Sequence, residues 1–154
     1  MKADSVAERR RLSLADAMKL HYEVDGDDFT LAGATSAKDK KYLKQLGLSP
    51  DVIRRVAIAM YEAEINMVIH ADGGSIDVEI TPQNIHIVFA DKGPGIPDIE
   101  KAMQEGFSTA TNEIRELGFG AGMGLPNIKM YSDEMKIDTV IGEGTTIDLI
   151  INIV

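Results

Sequence analysis

Hydrophobic positions along this chain change period several times, and each change marks an element. In LHYEV, Leu20, Tyr22 and Val24 recur at every second residue, the spacing of a half-buried strand. The turn residues DGDD follow, and FTLAG is expected to return as a hairpin partner. A helix is predicted from about Ser36 to Leu46, ending at Gly47. Ser49, Pro50 and Asp51 start a longer helix, with a serine N-cap, a proline in the first turn and an acid near the positive end. Its apolar residues Ile53, Val56, Met60, Ala63 and Met67 fall at three- and four-residue steps, a core-facing stripe that runs to about Ala71. SIDVEI and IHIVFA then alternate as two strands joined by Thr81, Pro82, Gln83 and Asn84. A short helix, DIEKAMQEG, and a polar stretch, FSTATNEIRELG, lead through a glycine run to a helix over residues 125–134. MKIDTVIGEGTTIDLIINIV closes the chain as a hairpin.

Strands and helices mix without regular alternation. The pattern predicts an α+β two-layer sandwich, its sheet mixed and mostly antiparallel, with helices on one face. The 154 residues suit a single domain, expected over 15–154, after a polar and mobile segment 1–14 that carries Arg9, Arg10 and Arg11. Hydrophobic residues at 44% and charged residues at 27% place the chain among globular proteins. No apolar run is long enough to span a bilayer, and the first residues lack the apolar stretch of a secretory signal. A cytoplasmic protein without membrane contact is therefore expected. The absence of cysteine removes thiolate metal sites and cysteine nucleophiles. A net charge of -9 argues against a nucleic-acid partner. It leaves room for one polyanionic ligand, held by backbone amides and a divalent cation.

Three stretches carry candidate chemistry. In GFGAGMGLPNIK, Gly118, Gly120, Gly122 and Gly124 occupy every second position. The dinucleotide fingerprint fails, because Met123 and Leu125 stand where its third glycine belongs, and no Gly-Lys pair precedes Ser or Thr as a P-loop requires. What remains is glycine-rich backbone feeding a helix that begins at Leu125, an arrangement whose outward amides suit an anion; a slack loop is the alternative. In DKGPGIP, Asp91 leaves a strand end, where a carboxylate can accept a hydrogen bond from an amino group, and Gly93 and Gly95 let a flat ring approach the backbone. The same residues also suit a tight turn. On the long helix, Glu62, Asn66 and His70 are spaced four apart and share a face. Glu62 could take a proton from an attacking hydroxyl, and the Asn66 oxygen suits Mg²⁺. Read in isolation, Glu62 and Asn66 also fit a solvated helix edge, and His70 a helix end.

The order of these pieces resembles the GHKL ATP-binding superfamily. EAEIN matches its N box, DKGPGI the first glycine box, GFGAGMGL the second, and GEGTTIDL adds a fourth match, together covering about residues 51–150. Within that group the chain is similar to the anti-sigma factor serine/threonine kinases, since MYEAEINMVIHA resembles their N-box helix. Histidine kinases usually place a basic residue three after the Asn, where this chain has Ile69. An upstream helix pair with a phospho-accepting histidine is also lacking, His21 lying in a strand-like segment.

The resemblance implies ATP and Mg²⁺ as cofactors and assigns roles. Glu62 would be the general base for a substrate serine hydroxyl, and Asn66 the Mg²⁺ ligand. Asp91 would bind the adenine amino group, with Gly93, Gly95 and Ile96 shaping the ring's pocket and Thr145 at the adenine edge. Gly118, Gly120, Gly122, Gly124 and the Leu125 amide would meet the phosphates, and His70 would join the nucleotide site. Residues 107–117 would form a lid. Arg115 and Lys129 read either as phosphate neutralisers or as surface residues, and Met123 has no assigned role. Implied partners are a sigma factor, a small antagonist protein phosphorylated on serine, and a second copy in a homodimer. Two other functions stay open: a nucleotide-gated binding module without phosphotransfer, and a histidine-kinase-like domain acting on a separate protein.

Overall fold

A computed structural model describes residues 18–26, 33–71, 73–104 and 124–153. The polar terminus with its arginines and the strand expected at FTLAG, up to Gly33, lie outside these residues. The elements are β1 (Met18–Asp25), α1 (Ala34–Gln45), α2 (Pro50–His70), β2 (Gly73–Ile80), β3 (Asn84–Asp91), a single turn α3 (Ile99–Ala102), α4 (Gly124–Tyr131), β4 (Glu134–Val140) and β5 (Gly144–Asn152). The sheet order is β1-β2-β3-β5-β4. Every neighbouring pair is antiparallel, so the sheet is uniform where the sequence left room for a mixed one.

Two apolar rows fix the register. Leu20, Val78, Ile87, Leu149 and Met135 pair in sequence across all five strands, as do Tyr22, Ile76, Phe89, Ile147 and Ile137. A slip of one residue in any strand would turn its row to the opposite face. That face is polar: His21 bridges Asp77 and Glu23 at 2.6 Å each, and His86 hydrogen-bonds Asp148.

Against the apolar face lies α2. Ser49 caps it by accepting the Val52 amide at 3.3 Å, and the anticipated stripe of Ile53, Val56, Met60, Ala63 and Met67 is buried. Each of the larger side chains, Ile53, Val56, Met60 and Met67, stabilises the fold by roughly 1.5–3 kcal/mol when removed from water. The helices α1 and α4 pack on either flank of α2, contributing Leu43, Leu125 and Ile128 to the same core. This is the α+β sandwich with helices on one face that the pattern predicts.

Two buried carboxylates hold α1. Its N-cap, Gly33, has no side chain to offer, and the amides of Thr35 and Ser36 donate instead to Glu64 of α2 at 3.1 Å each. Glu64 is buried, and its negative charge sits at the positive end of α1. Asp39, also buried, accepts the Tyr22 hydroxyl through Oδ1 at 3.1 Å. Its Oδ2 is the one buried side-chain nitrogen or oxygen without a partner among the described residues. Burial accordingly pushes its pKa up to about 6.

Two elements end sooner than their patterns predict. Among the described residues of DIEKAMQEG only Ile99–Ala102 is helical, capped by Asp98, which accepts the Lys101 amide at 3.1 Å. The last helix stops at Tyr131 because Asp133, just before β4, is bonded to β5. Its amide donates to the Ile150 carbonyl at 2.8 Å, and its carboxylate accepts the Asn152 amide and Arg55 Nη2 at 2.6 Å each. Among the described residues no helix is long and apolar enough to cross a membrane.

Candidate functional site

EAEIN contains two glutamates with opposite destinations. Two positions apart on a helix means roughly opposite flanks. Glu64 turns into the core to cap α1, whereas Glu62 stays half-buried and accepts a hydrogen bond from Asn127 Nδ2 of α4 at 3.3 Å. Asn66, one turn on from Glu62, faces the first residue of α4. A Cβ built on Gly124 would lie 2.7 Å from Asn66 Nδ2 and 2.9 Å from its Oδ1, so only glycine permits this approach. The helix is seated by Leu125 and Ile128, whose side chains are buried. Its first amides, which have no acceptor within the helix, therefore open beside Asn66. The Leu125 side chain is spent on the core, which leaves only its backbone to face a ligand.

A second cluster forms where β3 ends. Asp91 Oδ1 accepts the amides of Gly93 at 2.9 Å and Thr145 at 3.0 Å, while Oδ2 has no partner among the described residues. Thr145 is buried, and its hydroxyl lies 3.0 Å from that of Thr139, its register partner across the β4–β5 hairpin. Thr139 Oγ1 in turn accepts the Ile96 amide at 2.8 Å, and the Gly142 amide donates to the Pro94 carbonyl at 2.9 Å. At Gly95 the backbone has φ of 86°, and a Cβ would meet the Val140 carbonyl oxygen at 2.9 Å. The loop from Asp91 to Ile96 and the hairpin are thus laced into one unit.

Both clusters lie toward the end of the sandwich where α2 stops. Asp91 pairs with Gly74 at the start of β2, the strand that follows α2 directly. Gly118, Gly120, Gly122, Arg115, Met123 and the 107–117 lid lie outside the described residues, as does the His70 side chain at the end of α2. Lys129 is exposed.

The residues present fit a nucleotide with its metal. Among the described residues no three His, Cys, Asp or Glu side chains gather into a metal cage. Asn66, whose carboxamide has no hydrogen-bond partner among those residues, would be a lone protein oxygen donor. Such a site suits Mg²⁺, which keeps waters and takes phosphate oxygens in preference to an all-protein shell. Asp91 Oδ2 suits an amino group, and Oδ1 is already fixed by two amides.

Three residues in or beside these clusters are not among the sequence candidates. Thr139 and Thr145 stand at equal distance from Gly142, so hairpin symmetry could have paired them. Glu64 falls on the apolar stripe, four after Met60 and three before Met67, which marks it as a buried polar group with a partner. Asn127 lies three after Gly124, on the same helical face.

Comparison with known proteins shows the family and the fold. Residues 28–151 match the family described as the histidine kinase-like ATPase domain. The chain is 37% identical over 111 residues to the serine/threonine-protein kinase RsbT of Bacillus subtilis, covering 70% of this chain and 77% of that protein. It is 28% identical over 142 residues to the anti-sigma F factor of Geobacillus stearothermophilus, covering 88% of this chain and 92% of the relative. Two solved structures share the fold. The crystal structure of the RsbU and RsbW domains of a Mycobacterium tuberculosis protein gives a TM-score of 0.60 at 18% identity, over 87% of this chain and 32% of that one. The SiaB–SiaC complex of Pseudomonas aeruginosa gives 0.61 at 13% identity, over 97% and 98%.

Proposed function

The chain belongs to the histidine kinase-like ATPase domain family, and we propose that it binds Mg-ATP at these two clusters and transfers phosphate to a serine or threonine of a protein. The observation that carries this reading is the seating of Gly124 against Asn66. It joins the end of the glycine run, whose first helical amides have no acceptor within α4, to the carboxamide of the N box. Asp91 Oδ2 accepts the adenine amino group, while Thr145 and the Gly93–Ile96 backbone bound the ring. By family likeness Gly118, Gly120, Gly122, Gly124 and the Leu125 amide would meet the phosphates, and His70 would join the nucleotide site. Mg²⁺, when bound, neutralises phosphate charge beside the Asn66 oxygen. Glu62 takes the proton of the attacking hydroxyl, one helical turn from the metal ligand.

Relatives named a serine/threonine kinase and an anti-sigma F factor support a regulatory role. The expected partners are a sigma factor held inactive and a small antagonist protein that receives the phosphate; the working unit is expected to be a homodimer. The test is transfer from γ-labelled ATP to candidate antagonist proteins by wild type and Glu62→Gln. Acid-stable phosphoserine or phosphothreonine that disappears with Glu62→Gln is expected. ATP-dependent partner binding without any phosphoprotein, or acid-labile phosphohistidine, would overturn the reading.

A further inference from the structure

The helices α2 and α4 meet at two points in register. Gly124 rests on Asn66, and three residues later Asn127 donates to Glu62, four residues earlier on the opposing helix. One turn of each helix therefore separates the two contacts, and the helices run antiparallel past each other. Asn127 is the only hydrogen-bonding partner of Glu62 among the described residues, and both side chains are half-buried. The carboxamide must present its NH₂ to a carboxylate, since its oxygen would be repelled. The contact occupies Oε1 and leaves Oε2 for an incoming proton.

From this geometry we infer that Asn127 is a positioning residue, which holds the Glu62 carboxylate in the orientation needed for proton abstraction and ties it to the phosphate-facing start of α4. The inference rests on Glu62 as base. Its consequence is mechanical. The backbone that meets phosphate and the side chain that orients the base sit on one short rigid helix, seated by the same Leu125 and Ile128. A shift of α4 therefore moves both, so a misplaced glycine run also misplaces the base.

The experiment has three arms on the full chain. By calorimetry, Asn127→Leu binds ATP within about twofold of wild type, since the change leaves the proposed nucleotide contacts in place, whereas the isosteric Asn127→Asp sets a carboxylate near the phosphate-facing start of α4 and binds more weakly. In phosphotransfer both lose kcat by about tenfold or more, a fraction of what a placed base contributes, and Asn127→Leu does so with KM for ATP unchanged. Asn127→Asp also moves the acid limb of the rate profile to higher pH, because a second carboxylate disfavours the ionised base. In the nucleotide-free wild type, the Asn127 side-chain amide resonances shift on acidification, and the shift vanishes in Glu62→Gln. Wild-type kcat in Asn127→Leu, or amide resonances indifferent to Glu62→Gln, would overturn the inference. If instead Glu62→Gln transfers phosphate at the wild-type rate, the base assignment itself fails. An inactive Glu62→Gln beside a fully active Asn127→Leu sinks only the role of Asn127.

Discussion

Gly124 and Asn66 stand so close that a Cβ on the glycine would fall 2.7 Å from the carboxamide nitrogen. The start of α4 and the polar row of α2 are fitted to each other through that missing atom. Gly124→Ala forces Asn66 to swing away, because the α4 backbone is seated by buried Leu125 and Ile128. ATP affinity measured with Mg²⁺ should drop by about tenfold or more, as expected when a metal and phosphate site loses alignment. Affinity without Mg²⁺ should drop far less. Equal losses in both conditions would detach Asn66 from the metal.

Glu64 predicts a stability defect separable from function. Glu64→Ala strands the Thr35 and Ser36 amides in the core, and charge-assisted hydrogen bonds of this kind contribute about 1.5–3 kcal/mol. Urea unfolding should show a loss of that order. Glu64→Gln, which keeps one acceptor oxygen, should lose less. The ATP affinity of the folded fraction should change little in either variant.

Thr139 connects the hairpin to the loop after Asp91. Thr139→Val preserves shape but leaves the Ile96 amide without its acceptor. A lost neutral hydrogen bond with a stranded donor costs about 1–3 kcal/mol. Part of that loss should appear as weaker ATP binding by calorimetry, since the loop bounds the proposed adenine pocket. An unchanged affinity would separate the loop from the base.

Asp39 makes stability depend on pH in a defined direction. Its folded pKa, pushed up to about 6 by burial, lies above the ordinary carboxylate value of 3.8. The folded state therefore binds the proton more tightly, and stability falls as pH rises between those two values; the penalty is complete above about 6. Ionisation should cost on the order of 3 kcal/mol. His21, whose pKa is raised above its usual 6.5 chiefly by Asp77, adds a loss of the same sign at higher pH. Asp133 acts oppositely: the Asn152 amide and then Arg55 hold its carboxyl below the usual range, and that stability is lost as pH falls through its lowered pKa. Asp39→Asn should remove the slope between about pH 4 and 6 in melting temperature and leave the other two.

Much of the fold is legible because its signals are local. The Ser49 cap, the stripe on α2 and the two-residue alternation of β2, β3 and β5 depend on neighbours in sequence, and those elements stand where the pattern puts them. The end of α4 does not, because Asp133 is claimed by Ile150 and Asn152 on a distant strand. The site divides in the same way. Glu62, Asn66, Asp91 and the glycines carry recognisable spacing. Asn127 and Thr139 act through partners 65 and 43 residues away, and no spacing rule reaches that far.

Asp91, at the end of β3, is proposed to recognise the adenine amino group. Calorimetric titration of Mg-ATP into wild type and Asp91→Asn tests it most directly. Asparagine keeps an oxygen for the Gly93 and Thr145 amides but replaces the accepting Oδ2 with a donor. Wild type should bind saturably, with Asp91→Asn weaker by about tenfold or more, as expected when a buried polar group of the ligand is left unpaired. No binding to wild type, or equal affinity in the two proteins, would contradict the account.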